Sequence, residues 1–199
     1  MRPVAVVLAG GQARRMGGGD KGLLRLRRRP MLEHVLDAIR PQVRAVALSA
    51  NGNPRRFTAY DLPVLPDPVA DSQGPLAGIL AGLRWARTVH PGAELLLSVP
   101  TDTPLLPADL VQRLTQMRAS AGASIACAAS GGRRHPVVAI WPVTLADALA
   151  EALAAGVRSV EAFAAPHGVA AAEFAIDRVD PFLNVNSPAD LLRAARLAD

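Results

Sequence analysis

The amino-acid sequence predicts an α/β fold with a mainly parallel sheet. Segments of strand composition and segments of helical composition alternate along the whole chain, which is typical of this class. The strand segments are continuous apolar runs, as expected for strands that helices cover on both faces. The chain has 199 residues, half of them hydrophobic, which suits one domain with a proper core.

The predicted elements follow one another in a regular order. Strands are predicted at 4–8, 43–49, 64–65, 95–99, 123–129 and 137–140, and helices at 30–40, 75–87, 107–118, 145–155 and 159–165. Pro30 suits the start of the first helix, whose apolar residues recur on one face. The helix at 75–87 has a face of small residues that allows close packing. Residues 182–186 are expected to be extended, and Ser187 is expected to cap the final helix.

Composition excludes several classes of protein. The single cysteine, Cys127, excludes an intrachain disulfide and a cysteine-based zinc site, and we expect it to be a buried small residue. No apolar run approaches the ~18 residues of a membrane span. The first apolar run is too short for a signal peptide, and arginines follow it. We therefore expect a cytoplasmic protein without membrane contact.

Positive charge is concentrated at the start of the chain. The net charge is +5, and residues 1–40 alone carry +6, from nine Lys or Arg and three Asp or Glu. A basic segment fits an anionic ligand and also fits nucleic acid, so charge alone leaves both open. The three arginines at 27–29 need no function and are interpreted as a solvated turn.

Lysine occurs once, at Lys21, whereas the chain has twenty-one arginines. The ammonium group of lysine is compact, and the guanidinium group of arginine is a wide planar fork. A single lysine in a chain this rich in arginine suggests a position where the fork does not fit.

Residues 8–21, LAGGQARRMGGGDK, form a glycine-rich segment directly after the first predicted strand. Glycines let the backbone approach a ligand, and successive N–H groups can hold phosphate oxygens. The P-loop pattern fails because Lys21 lies between Asp20 and Gly22. The dinucleotide pattern fails because Gly10 and Gly11 are adjacent. The segment is interpreted as another kind of phosphate loop, with a plain surface turn as the alternative.

The loop resembles the signature of the molybdenum cofactor guanylyltransferases, L-A-G-G-x-x-x-R-M-G-G-x-D-K-G. The match is position by position at 8–11, 15–18 and 20–22. This resemblance implies a single-domain, three-layer Rossmann-like fold of the nucleotidyltransferase type over 1–199. It implies a nucleotide-binding half at about 1–105 and a pterin-side half at about 106–199. It also implies catalytic roles for Lys21, Arg15 and Asp102.

Further motifs extend the resemblance on the nucleotide side. Asp102 follows the strand at 95–99, where a carboxylate is well placed to hold Mg²⁺, and its D-T-P motif resembles the family's magnesium-binding aspartate. The alternative for Asp102 is a residue that caps a turn. Residues 74–78, GPLAG, match a family motif at a helix start. The resemblance assigns nucleotide binding to Leu8, Ala9, Gly10, Gly11, Lys21, Ser49, Asn51, Asp67 and Asp102. Residues 49–51 read SAN where the family often has N-A-N, which leaves the contacts of Ser49 open.

The resemblance places pterin-binding residues in the second half of the chain. His135 belongs to an H-P motif, and residues 184–188, NVNSP, resemble the family's N-V-N-T-P. Extended spacing puts the amides of Asn184 and Asn186 on one face, where they offer donors and acceptors to a pterin. Arg158 resembles a basic element on the same side.

The implied activity is Mg²⁺-dependent transfer of GMP from GTP to molybdopterin or molybdenum cofactor, with release of pyrophosphate. Other cofactor-biosynthesis proteins or molybdoenzyme chaperones are expected as transient partners. The nearest alternative is a related nucleotidyltransferase that uses CTP or a sugar 1-phosphate. An alternative from another class is a nucleic-acid-binding module, and the aromatic content of 4% argues against it.

Overall fold

The computed structural model describes residues 2–10, 20–68 and 74–197. Its strands are β1 Val4–Leu8, β2 Arg25–Leu26, β3 Arg29–Pro30, β4 Val46–Ser49, β5 Val64–Leu65, β6 Leu95–Pro100, β7 Ile125–Ser130, β8 Arg133–Pro142 and β9 Val169–Phe174. Its α-helices are α1 Met31–Ile39, α2 Pro75–Val89, α3 Leu110–Ser120, α4 Ala146–Ala154, α5 Val160–Ala164 and α6 Pro188–Leu197. Short 3₁₀ turns, among them Lys21–Leu23 and Pro54–Tyr60, join several of these elements.

Seven strands form one sheet in the order β5-β4-β1-β6-β8-β7-β9. All neighbouring pairs are parallel except those of β8, which runs antiparallel to β6 and β7. Leu8 pairs with Ser49 on one side and with Pro100 on the other, so β4, β1 and β6 end side by side. β8 runs in the opposite direction, and therefore its first residues lie at this same end of the sheet. Ligands of open α/β proteins bind beyond the carboxyl ends of the parallel strands.

Helices cover both faces of the sheet, and each face has its own core. Side chains of β1 alternate between the two cores, because successive residues of a strand point to opposite faces. Val7 packs with the apolar faces of α1 and α3, and Val6 packs with α2, α4 and α5. The expected three-layer α/β architecture with a mainly parallel sheet is confirmed.

The small residues of α2 allow this helix to lie close to the sheet. A Cβ atom on Gly78 would come within 2.6 Å of Leu8 Cδ2 and of Ser49 Oγ. A Cβ atom on Gly82 would come within 2.7 Å of Val6. Larger side chains would lift α2 away from the sheet, so the predicted close packing is confirmed. The first turn of α2 then lies beside the ends of β1 and β4.

Several features differ from the sequence prediction or refine it. Strand β9 was not predicted, because alanine occupies three of its six positions and has low strand propensity. The hairpin of β2 and β3 was also not predicted; its turn contains Arg27 at φ 59°. Arg27 and Arg28 form the turn of this hairpin, Arg29 begins β3, and all three are exposed, so the solvated turn is confirmed. Ser187 caps α6, since its Oγ accepts from Asp190 N at 3.2 Å.

The structure bears on two predictions made from composition, the burial of the cysteine and the lack of a membrane span. Cys127 is 2% exposed on β7, as expected of a small buried residue, and burial raises the pKa of its thiol. In the part of the chain that the structure describes, no helix is long and apolar enough to cross a membrane.

Candidate functional site

A cleft of about 870 Å³ lies at the carboxyl ends of the parallel strands. Its volume is within the usual range for a small-molecule site, roughly 300–1,000 Å³. Nine of the residues assigned from the sequence line it: Leu8, Gly10, Lys21, Ser49, Asn51, Asp67, Asp102, His135 and Asn184. Two more assigned residues, Gly11 and Arg15, lie outside the described residues. Most of the assigned side chains therefore surround one cavity.

Lys21 and Asp102 form an ion pair in this cleft. Lys21 Nζ lies 2.7 Å from Asp102 Oδ2, and the two side chains are 12% and 22% exposed. Lys21 Nζ also donates to Asn186 Oδ1, so it joins the end of the glycine-rich loop to a residue assigned to the pterin. The backbone of the next residue, Gly22, lies close to Thr101, because a Cβ atom on Gly22 would lie 2.9 Å from Thr101 Cγ2. The carboxylate of Asp102 thus pairs with the lysine.

Asn51 and Asp67 are hydrogen-bonded to each other just beyond the ends of β4 and β5. Asn51 Nδ2 donates to Asp67 Oδ2 at 2.6 Å, and Asp67 N donates to Asn51 Oδ1 at 2.9 Å. Ser49 Oγ donates to Asp67 Oδ1 at 3.5 Å from a buried position, 3% exposed. These bonds orient one amide and one carboxylate at the cleft, a pair that offers both donors and acceptors.

The loop after β9 crosses the same end of the sheet and carries both pterin-side asparagines. Val185 N donates to Asp102 O at 2.8 Å, and the Val185 side chain is fully buried. Asn184 lines the cleft, and Asn186 accepts from Lys21. Alternation around Val185 therefore brings both amides to one side, as the extended spacing predicted.

His135 is held in a buried chain of hydrogen bonds. Ser130 Oγ donates to Asp180 Oδ1 at 2.8 Å and lies 2.8 Å from His135 Nε2. The single hydroxyl proton of Ser130 is directed to Asp180, so Nε2 of His135 donates to Ser130 and a neutral ring keeps Nδ1 as an acceptor. Burial is the main cause that lowers the pKa of His135. The ring also packs against Phe182, with 4.8 Å between the ring centroids.

Besides Asn186, which contacts Lys21, two described residues among those assigned do not line the cleft: Arg158 and Ala9. The guanidinium of Arg158 donates to Leu153 O at 2.8 Å and to Val157 O at 2.9 Å, at the end of α4. Ala9 is 1% exposed, and its N–H donates to Ser49 O at 2.8 Å. The pterin role of Arg158 therefore stays a prediction from the family resemblance.

Among the described residues, three arginines with no role expected from the sequence also line the cleft: Arg56, Arg133 and Arg134. Arg133 and Arg134 directly precede the H-P motif, and this position next to an assigned histidine is the sequence signal that could have identified them as cleft residues. Arg56 follows Asn51 by five residues, but nothing in the sequence separates it from the other arginines. Its position depends on how the segment after β4 folds.

Comparison with known proteins agrees with this geometry. The chain matches the MobA-like NTP transferase domain over residues 5–175. It is 51% identical over 197 residues to the molybdenum cofactor guanylyltransferase of Rhodopseudomonas palustris strain HaA2. The aligned region covers 98% of this chain and 92% of that protein.

Two solved structures show the same fold. Molybdopterin-guanine dinucleotide biosynthesis protein A from Archaeoglobus fulgidus has a TM-score of 0.76 at 22% identity, over 98% of each chain. Rv0371c from Mycobacterium tuberculosis H37Rv, in complex with manganese, has a TM-score of 0.68 at 20% identity, over 98% of this chain and 99% of that one. With the domain match and the identity over nearly the whole length, the chain belongs to the molybdenum cofactor guanylyltransferase family.

Proposed function

We propose that this protein transfers GMP from GTP to molybdopterin, or to its molybdenum-loaded form, and releases pyrophosphate. The observation that carries the proposal is the Lys21–Asp102 ion pair, which lies in one cleft with the Asn51–Asp67 pair. The choice of GTP and molybdopterin is supported by the 51% identity to a molybdenum cofactor guanylyltransferase.

The proposed reaction needs little from the protein beyond position and charge. A phosphate oxygen of the pterin attacks the α-phosphorus of GTP, and the bond from that phosphorus to the β-phosphate oxygen breaks. Pyrophosphate leaves with the electron pair. A phosphate is already an adequate nucleophile, so catalysis is alignment of the two phosphates and stabilisation of developing charge. Lys21 would supply an ammonium group to the triphosphate, and Arg15 is proposed as a second cation.

Magnesium dependence is part of the proposal, and the carboxylate of Asp102 offers the hard oxygen donor that this ion prefers. Within the described ranges, no three His, Cys, Asp or Glu side chains gather into a metal site. Asp102 would therefore hold Mg²⁺ together with phosphate oxygens and water, the usual arrangement for Mg²⁺ with a nucleotide. When bound, the ion neutralises charge on the phosphate oxygens. The manganese complex of Rv0371c supports a divalent cation in this fold.

The two substrates are assigned to opposite ends of the cleft. Asn51 and Asp67 would contact the nucleoside, since their paired side chains line the cleft beside β4 and β5. Asn184, Asn186 and His135 would contact the pterin. Lys21 is assigned to the triphosphate at the border of the two groups, because it pairs with Asp102 and contacts the pterin-side residue Asn186.

Titrations with GTP, CTP, ATP and an oligonucleotide, each with and without Mg²⁺, test this proposal. We expect binding of GTP that Mg²⁺ strengthens, followed by transfer of the labelled α-phosphate of GTP to molybdopterin. Preferred binding of CTP would replace the proposal with the related nucleotidyltransferase. Binding of the oligonucleotide without binding of any nucleotide would replace it with the nucleic-acid module.

A cytoplasmic location belongs to the same proposal. The one cysteine is buried, which fits a reducing compartment better than an oxidising one. Other cofactor-biosynthesis proteins or molybdoenzyme chaperones are proposed as transient partners that deliver or receive the cofactor.

A further inference from the structure

Arg56 makes several contacts on the nucleotide side of the cleft. It lies in the 3₁₀ turn after β4, where Nη2 donates to Asn51 O at 2.5 Å and Nη1 to Asn53 O at 2.8 Å. Arg56 Nε lies 2.5 Å from Asp20 Oδ2, an ion pair whose angle lies outside hydrogen-bond geometry. The guanidinium also lies over Phe57, with Cζ 4.8 Å from the ring centroid. One guanidinium group therefore contacts three polar partners and an aromatic face.

These contacts join two parts of the site that are far apart in the sequence. Asp20 directly precedes Lys21, and its side chain makes no capping hydrogen bond at the 3₁₀ turn that begins there. Its carboxylate instead pairs with Arg56. Asn51, whose carbonyl accepts from Arg56, uses its side chain to hold Asp67. Arg56 thus connects the lysine side of the cleft with the Asn51–Asp67 pair.

We infer that Arg56 is a positioning residue, which sets the spacing between Lys21 and the Asn51–Asp67 pair and thereby the fit of a nucleoside triphosphate. This inference rests on the proposed function, since it assigns triphosphate and nucleoside to those two groups. The Arg56 and Asp20 side chains are 25% and 22% exposed, so water screens the pair less than a surface pair. A planar fork can serve several fixed partners at once, and an ammonium group cannot match that geometry.

The first test compares Arg56→Lys and Arg56→Gln with Arg55→Gln as the matched control. Arg55 is the exposed neighbour, and the structure gives its side chain no hydrogen bond or ion pair with the residues described. We expect both Arg56 variants to raise the KM for GTP by about tenfold or more, the usual effect of losing a charge-assisted contact. The KM for molybdopterin should stay unchanged, as should both constants in Arg55→Gln. A loss of fold would lower kcat and affect both substrates together.

A double-mutant cycle with Asp20→Asn separates positioning from direct contact with the nucleotide. If Arg56 acts through Asp20, Arg56→Gln in the Asp20→Asn background should add little to the loss of GTP affinity, measured by calorimetry. Independent, additive losses would overturn the inference, because the contact between Arg56 and Asp20 would then not set the spacing. If Arg56→Gln does not fold, the cycle is run with Arg56→Lys, which keeps the charge.

GTP binding by the parent protein distinguishes a failure of the proposed function from a failure of the inference about Arg56. A parent chain that binds no GTP refutes the proposed function and this inference with it. A parent that binds GTP, with Arg56 variants of unchanged affinity, refutes the inference alone.

Discussion

Replacement of Lys21 by arginine tests whether the cleft requires a compact cation. Lys21 Nζ lies 2.7 Å from Asp102 Oδ2 and also donates to Asn186, and its side chain is only 12% exposed. The next residue is packed against Thr101, where a single added carbon at Gly22 would come within 2.9 Å. Arginine keeps the charge, but its wider planar group has to tilt or displace these neighbours. We therefore expect Lys21→Arg to fold and to lose most of its activity.

The size of the expected loss in transfer rate follows from how closely the reacting phosphates have to be aligned. A displacement of about 1 Å at a reacting centre costs roughly 100-fold in rate, or about 2.7 kcal/mol at 1.36 kcal/mol for each tenfold. Lys21→Ala also removes the charge, so its loss of GMP transfer should be at least as large. Its loss of stability should be about 1 kcal/mol, because the ion pair is partly exposed. For a chain of this size that lowers Tm by about 2–4 °C.

The assay measures GTP affinity and GMP transfer for the parent, Lys21→Arg, Lys21→Ala and a control exchange. Arg87→Lys is the matched control, because Arg87 on α2 forms an exposed ion pair with Asp147 on α4 at 2.8 Å. The control should transfer GMP like the parent. Near-parental transfer by Lys21→Arg would refute the reasoning, and the single lysine would then be an accident of composition.

Three further predictions concern other parts of the cleft. Asp102→Asn should fold but lose Mg²⁺-dependent transfer, measured as rate against Mg²⁺ concentration, since it removes the proposed carboxylate ligand. Asn184→Ala should weaken molybdopterin binding and leave GTP binding intact in calorimetry, whereas Asn186→Ala should weaken both, because Asn186 contacts Lys21. Burial lowers the pKa of His135 below the ordinary 6.5, so the unfolded chain binds more protons than the folded chain as the pH falls below about 6.5. The folded state is therefore stabilised above that pH and loses stability below it, and His135→Gln should remove this part of the slope in urea unfolding between pH 7.5 and pH 5.5.

Each of these predictions has an outcome that contradicts it. Unchanged transfer by Asp102→Asn at low Mg²⁺ would remove Asp102 from the metal site. Equal losses of both ligands in Asn184→Ala would indicate a structural role for the loop after β9. A pH slope of His135→Gln identical to that of the parent would show that His135 keeps an ordinary pKa.

Local features of the sequence were sufficient for the fold class and for much of the cleft. Unbroken apolar runs predicted buried parallel strands, and the small residues of α2 predicted its close packing, because both signals act over a few neighbouring residues. The glycine-rich loop and the residues after β4, β5 and β6 pointed to one end of the sheet, since strand ends in parallel sheets share an edge. Strand β9 was missed because pairing with β7 and burial of Ala170 and Ala172 outweigh the weak strand propensity of alanine.

The partners of the functional side chains were decided only by the tertiary structure. Lys21 reaches Asp102 across 81 positions and Asn186 across 165, contacts that depend on strand order and on the return of the loop after β9. The same holds for Arg56, one of twenty-one arginines, which becomes distinct only when the turn after β4 places it beside Asp20. Composition and periodicity determine which residues form strands and helices. The pairing of side chains far apart in sequence depends on how those elements pack against one another. Local sequence patterns extend over a few neighbouring residues and carry no information about which distant side chains meet.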